Sequence, residues 1–408
     1  MQLKRGLAGL LLALLSGHLS ADTARQQSLA YLNDLRRQAG MIAFSENDQL
    51  QQAAQGHAEY LLLNRQWGHG QQRSRQGFTG RTPLQRMLRA GYASRHNAEN
   101  VSSHSGQTSA MKSVNGLMSA IYHRFGFLTF DYDEIGIGYA ADADFHSFVY
   151  NMGNAAKRVL CQQDASQQMP GNYYFRVCAD ETLRVKQADF DQALLDVQLK
   201  NAEVVLWPPR GGVNVPPAFY EETPDPLPDY DVSGYPVSVQ FNPAVFRNSI
   251  PRVTRLELFR DADHQPVDVI LRMDQQTDFN RKFTAYEHAL FPHQRLDWAT
   301  RYRVELEYVA HDKPQQLSWT FTTASFDVPI YEVTNGGEVI QASSGQSIVV
   351  YVPPSHQRDA NSEYQLSYRG LHDVKVTIVD ANTLLIRPLG DSGQATFSFH
   401  GRQFRLVL

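Results

Sequence analysis

The sequence predicts an α+β chain: an N-terminal α-β-α sandwich followed by all-β sandwich modules. Two observations carry that expectation. Helical spacing of apolar residues dominates before residue 123, whereas short alternating strands dominate after residue 235. Between them the first strands follow four helices, which buries a sheet between helical layers. A chain of 408 residues is long enough for two or three such units.

The elements follow in order. Leu29, Leu32 and Leu35 recur at helical spacing and stop at Gly40. Ser45 opens a second helix with Asp48 three residues on, and Leu50, Ala54, His57 and Leu61 share one face of it. Thr82 caps a third, Pro83 takes its first turn, Gln85 completes a capping box and Gly91 ends it. A fourth runs from about Ser109 to Tyr122, with Met111, Val114, Leu117, Met118 and Ile121 inward. Glu134 to Tyr139 alternates as a strand, and the aromatic and branched run from Phe145 to Met152 makes another. An amphipathic stretch covers Ala188 to Leu199.

Past that stretch, proline density at Trp207–Pro217 and Glu221–Pro228 breaks regular structure. The acidic run 221–231 lacks the spaced Asp, Asn and Gly of a calcium loop, and it reads as a solvated interdomain connection. Further strands are expected at 237–241, 302–306, 319–323, 348–352, 374–379, 384–386 and 397–399. The expected boundaries are 1–21, 27–154, 155–201 (a disulfide loop and connector), 202–325 and 326–408.

Bulk composition narrows the function. The net charge of −4 provides no basic excess to neutralise phosphates, so no nucleic-acid partner is expected. Lys4 and Arg5, the apolar run Leu7–Leu15 and small residues to Ala21 read as a signal peptide cut near Ser20 or Ala21. That run is too short to span a bilayer, so a secreted or periplasmic protein without a transmembrane span is expected. In such a compartment Cys161 and Cys178 read as one disulfide closing a short loop.

Four residues form the candidate site. His69 follows Trp67-Gly68, Glu99 lies in Ala98-Glu99-Asn100-Val101, His123 ends the fourth helix, and Glu134 opens a strand. Two imidazoles and two carboxylates suit three roles: a site for zinc or another divalent metal, an acid–base pair, or a structural network of His–Glu hydrogen bonds. Gly136 and Gly138, on the strand face of Glu134, either leave room beside the carboxylate or let a helix approach closely. Asn100 and Arg124 are supporting candidates; Arg124 either pairs with an acid at the cleft or caps its helix. His57 shares the apolar face of Leu50 and Leu61 and reads as a buried structural histidine, whereas His96 and His104 flank Glu99 in a polar loop and read as solvated. Trp67 and Tyr92 read as core or cleft-wall aromatics. The chain has no Gly-x-Ser-x-Gly elbow and no His-Glu-x-x-His helix.

The pieces His57-Ala-x-x-Leu61, Gly68-His69, Ala90-Gly91-Tyr92, Glu99-Asn100, His123-Arg124 and Glu134-Ile-Gly-x-Gly138, in that order, resemble the bacterial SCP-like branch of the CAP superfamily. That superfamily includes cysteine-rich secretory, antigen 5 and plant pathogenesis-related type-one proteins. The resemblance covers about residues 27–154. It implies an α-β-α sandwich whose cleft gathers His69, Glu99 and His123, with Glu134 as the second acid. Eukaryotic relatives carry that acid on the helix before the second histidine, but here no Asp or Glu lies between Glu99 and Asp131. Tyr122 also stands where the family usually has glycine.

Residues 202–325 resemble a bacterial immunoglobulin-like module through Trp207-Pro-Pro-x-Gly-Gly-Val-Asn-Val-Pro-Pro, Tyr302-x-Val-x-Leu and Trp319-Thr-Phe-Thr-Thr. The function expected is binding of a metal or small ligand in the cleft, with β-modules for presentation or contact with a lipid or envelope component. The alternatives are a secreted hydrolase using Glu99 or Glu134 with His69 or His123, and a structural envelope or adhesion protein with a vestigial cleft. Enzymatic activity is left open.

Overall fold

The structure, a computed structural model, describes residues 5–106, 108–163, 170–360, 366–370 and 373–408. Residues 1–4 of the expected signal peptide lie outside the described residues. Helix α1 (Arg5–Gln38) is one continuous element through the expected cleavage region, longer than the periodicity from Leu29 indicates. Gly40 follows with φ +79°, as expected of a chain leaving a helix.

The second helix begins later than Ser45 suggests. Ser45–Glu46 is a short strand (β1), and Asn47 is the cap, its side chain accepting from the Leu50 amide before α2 (Asp48–Asn64). Helix α3 (Pro83–Arg89) starts as read, with the Thr82 hydroxyl accepting from Gln85 N. The expected polar loop around Glu99 is a strand, β2 (Asn97–Ser105). Helix α4 (Ala110–Ser119) stops at Ala120, whose backbone is extended, and α5 (Ile121–Phe127) starts there. Met111 is exposed on α4 rather than inward. Strands β3 (Glu134–Ala141) and β4 (Phe145–Gly153) complete the sheet, in the order β1-β3-β4-β2. Only the β1–β3 pairing is parallel.

Register fixes what this sheet presents. Glu134 and Glu99 pair with Gly153 and Asn151 of β4, two residues apart on the strand that separates them. β2 is the outer strand, so the Glu99 end of the sheet is an edge open to groups from either face.

Residues 155–201 form α6 (Ala155–Leu160), a hairpin of β5 (Tyr173–Phe175) with β6 (Arg184–Lys186), and α7 (Gln187–Gln198). Cys161 and Cys178 form the expected disulfide. Cys178 also bridges to Ser94, which ties this loop to the segment entering β2.

Apart from one helical turn at Pro243–Phe246, the C-terminal half is β among the described residues. One four-stranded sheet orders Val269–Met273, Glu287–Pro292, Val237–Phe241 and Val204–Trp207. A five-stranded sheet orders Gln265–Pro266, Arg252–Arg260, Arg301–Ala310, Lys313–Thr323 and Gly212–Val215. Residues 330–407 add two further four-stranded sheets around a separate core that includes Ile348, Ile386, Phe397 and Phe404. The core of the N-terminal unit does not stop at its boundary: Leu117, Met118 and Phe127 belong to one apolar cluster with Trp207, Val237 and Val239. Arg124, fully buried on α5, crosses that junction. It donates to Met118 O, to Pro236 O at 2.8 Å and to Ser238 Oγ at 3.0 Å. Among the described residues it makes no ion pair with an acid, although the charge of Glu222 attracts it, and burial lowers its pKa.

Candidate functional site

The site forms at the β2 edge. Glu99 and Asn100 are adjacent on β2, so their side chains leave opposite faces. Glu99 faces α2 and α3. Its carboxylate accepts both Arg86 Nη2 contacts, each at 2.8 Å, and lies 2.9 Å from His69 Nδ1. Arg86 also donates to His69 O at 2.9 Å, so one guanidinium orders both the acid and the loop carrying the histidine. On the other face, the Asn100 amide donates to His123 O at 2.8 Å, which fixes α5 against the strand.

His69 and His123 meet around this edge. Their rings are near parallel, 14° apart, with centroids 6.5 Å apart. His123 Nδ1 lies 2.9 Å from Glu222 Oε2, and Glu222 also accepts from the Tyr122 amide at 3.2 Å. Each imidazole thus has a carboxylate on Nδ1. Among the described residues neither Nε2 has a hydrogen-bond partner. His69 is 44% exposed and His123 15%, so the pair opens to solvent from one side.

Glu134 is not in this group. It is buried between Tyr92 OH (2.7 Å), Asn47 Nδ2 (3.2 Å) and Arg158, whose Nε lies at 2.9 Å and Nη2 at 3.1 Å. It neutralises Arg158 and anchors the start of α2, and the expectation that it completes the cleft is corrected. The acid that faces His123 is Glu222, from the run read as a solvated connection. That run is not solvated throughout: Glu222, Pro226 and Leu227 are buried.

His57 is buried, as its helix face predicts. Its Nδ1 accepts from Gln71 Nε2 at 3.0 Å, and its Nε2 donates to Gly68 O at 3.1 Å, just ahead of His69. Both bonds suit the neutral ring, and burial pushes its pKa down to about 4. His96 and His104 are not solvated either. His104 bonds Ser102 Oγ at 2.8 Å, His96 packs against Tyr132, and burial lowers both to about 4. Trp67 is exposed and rests edge-on against Phe145, whereas Tyr92 is buried. Burial alone would push the Glu99 carboxyl up, but His69, Arg86 and His57 together outweigh it and hold it below the usual range.

These neutral histidines predict acid lability. A histidine whose folded pKa lies below its unfolded 6.5 costs no stability above that value. The loss grows as pH falls from 6.5 and is complete below the folded pKa. For His57 the fall from 6.5 to about 4 corresponds to roughly 3 kcal/mol at pH 4. Urea unfolding at pH 7 and pH 4 should show His57→Gln losing about that much less than the parent between the two conditions. Equal losses would place the acid sensitivity elsewhere.

Arg86 and Glu222 were not identified from the sequence. Arg86 sits in the last turn of α3, where a basic residue reads as a dipole partner. Glu222 lies 99 residues from His123, and no local pattern marks it.

Comparison with known proteins matches residues 29–152 to the model of the cysteine-rich secretory protein family, CAP. Residues 29–152 form a CAP domain. Similar solved structures include an extracellular protein containing an SCP domain from Bacillus anthracis (18% identity, TM-score 0.28, 32% of this chain and 40% of that one). An outer surface protein of Borrelia burgdorferi shares 19% identity (TM-score 0.26, 31% and 90%). A cysteine-rich secretory protein of Staphylococcus aureus shares 17% (TM-score 0.25, 33% and 40%). The chain therefore spans about two fifths of the first and third of these proteins. No curated protein matches. Among the described residues no helix is long and apolar enough to cross a membrane.

The CAP domain accordingly brings His69, Glu99 and His123 together and leaves Glu134 apart. Among the described residues no group of three or more His, Cys, Asp or Glu is arranged to hold a metal ion. The two carboxylates stand behind the rings. Two imidazoles are the side-chain donors this cleft offers, and they do not make a closed four-ligand metal site.

Proposed function

We propose that this chain is an exported CAP-domain protein whose cleft binds a divalent metal, zinc being the first candidate, between His69 and His123. The observation that carries this reading is the pair of Glu–His contacts: a carboxylate on each Nδ1 fixes the proton there and leaves each Nε2 with a free lone pair. A bound ion would supply Lewis acidity to a ligand in the cleft. The chain's own part is to hold the two rings and to keep the carboxylates out of direct ligation.

Export is part of the proposal. It rests on the charged and apolar N-terminal segment and on the disulfide, which persists in oxidising compartments. We assign 27–154 to the cleft domain, 155–201 to the disulfide connector, and 202–325 and 326–408 to an immunoglobulin-like and a second β-module.

Calorimetric titration of the full chain with zinc is expected to show saturable one-to-one binding. The His69→Ala/His123→Ala double variant is expected to lose it while keeping the parent's thermal midpoint within a few degrees. A parent that binds no zinc, or a double variant that binds equally well, would remove the metal reading.

A further inference from the structure

We propose that Glu222 is a positioning residue for His123, so that the cleft of the CAP domain is completed by a loop of the adjoining β-sandwich. The inference deepens the metal reading and rests on it only for its affinity arm.

Between Glu99 and Asp131 the CAP domain has no carboxylate of its own to face His123. The sandwich supplies one from a closed excursion. Ala218–Phe219 pairs antiparallel with Ser233–Gly234, and residues 220–232 form the loop between them. Leu227 packs with Phe219 and with Ile121 of α5 in one apolar cluster. Asn280 clamps the loop to the helix, donating to Asp225 O at 2.7 Å and to Tyr122 OH at 3.1 Å. Tyr122 OH in turn donates to Asp278 Oδ1 at 2.5 Å. With the loop so fixed, the Glu222 carboxylate is 2% exposed and sits on His123 Nδ1 at 2.9 Å.

Burying a carboxylate costs several kcal/mol unless charge and hydrogen bonds offset it. The neighbours that offset it here include the Tyr122 amide, the His123 N–H and the charge of Arg124. The arrangement repeats, from a different module, what Glu99 does for His69 at the same 2.9 Å separation. The consequence is chemical: with the Nδ1 proton held by Glu222, the Nε2 of His123 is left as a lone-pair donor.

The test uses the full chain labelled with nitrogen-15 at histidine, with His123 assigned by its absence from a His123→Ala spectrum. The parent is expected to show His123 as the Nδ1–H tautomer. Glu222→Ala should move it toward Nε2–H and weaken zinc binding by about 10–100-fold. Glu222→Gln, whose amide oxygen still accepts a hydrogen bond from Nδ1–H, should restore the tautomer and most of the affinity. If Glu222→Ala does not fold, Glu222→Met fills similar volume without an acceptor and is read the same way. A His123 that stays Nδ1–H without an acceptor at position 222 overturns the proposal. A parent that shows the tautomer but binds no zinc overturns the metal reading and leaves Glu222 as the residue that sets the His123 proton.

Discussion

Gly136→Ala is expected to prevent the CAP domain from folding rather than to loosen it. Strand β3 runs directly beneath α2, and a Cβ at Gly136 would lie 1.9 Å from Gln51 N and 2.1 Å from Leu50 C. At Gly138 the nearest atom is Ala54 C, at 2.2 Å. These are backbone atoms in a helix whose Leu50, Ala54, His57 and Leu61 are fully buried, so no side chain can swing aside. Of the two readings of these glycines, close approach of a helix is the one the structure bears out. A clash of this kind belongs with the rare substitutions costing about 4–5 kcal/mol or more. That is comparable to the whole stability of many domains. Gly116→Ala, on α4 with open space around it, is the control, and it should gain about 0.5–1 kcal/mol. Circular dichroism and urea midpoints of the two variants check the contrast. A Gly136→Ala protein within 1 kcal/mol of the parent would mean that α2 can lift from the sheet.

Glu99→Ala is expected to have the second largest effect, on stability as well as on the cleft. Arg86 is 1% exposed, and among the described residues Glu99 is the carboxylate paired with it. Removing one member of a buried pair costs about 3–5 kcal/mol, because the remaining charge stays buried. The same change frees His69 Nδ1 and the loop that Arg86 fastens through His69 O. The urea midpoint should fall by that amount. The double change Arg86→Met/Glu99→Ala should recover part of the stability but none of the orientation of His69. A double variant as unstable as the single one would show that the loss comes from the cavity and not from the stranded charge.

What the sequence disclosed and what it concealed divide along the range of the interactions. The Thr82-Pro83 start of α3 and the His57 face of α2 rest on neighbours within a turn, and both are where local chemistry puts them. Ser45 competed with Asn47 for the same cap, and the parallel pairing of Ser45 with Glu134 decided it. β2 escaped notice because Asn97-Ala-Glu-Asn-Val-Ser-Ser-His-Ser has almost no apolar alternation. It is a strand because β4 offers it an edge, not because its own residues prefer extension. Glu134 and Glu222 show the same limit at the site. The Glu-Ile-Gly-x-Gly piece marks a strand under a helix, but whether its carboxylate reaches a histidine or an arginine depends on Arg158 and Tyr92, far away in the chain. The acid that does reach His123 arrives on a loop of another module, whose placement depends on the apolar contacts of Leu227 and Phe219.

The continuous apolar cluster across the junction at residue 202 bears on how such a chain can change over evolutionary time. A unit whose own core is closed can be copied, moved or fused elsewhere as a cassette. This CAP domain cannot leave that way, because its departure would strip the cover from Leu117, Met118 and Phe127 and strand the Arg124 guanidinium without Pro236 and Ser238. Cut from its neighbour at residue 201, the domain is therefore expected to be less stable than in the full chain, and a substitution at Val237 or Ser238 acts on the helices it touches as well as on the strands beside it.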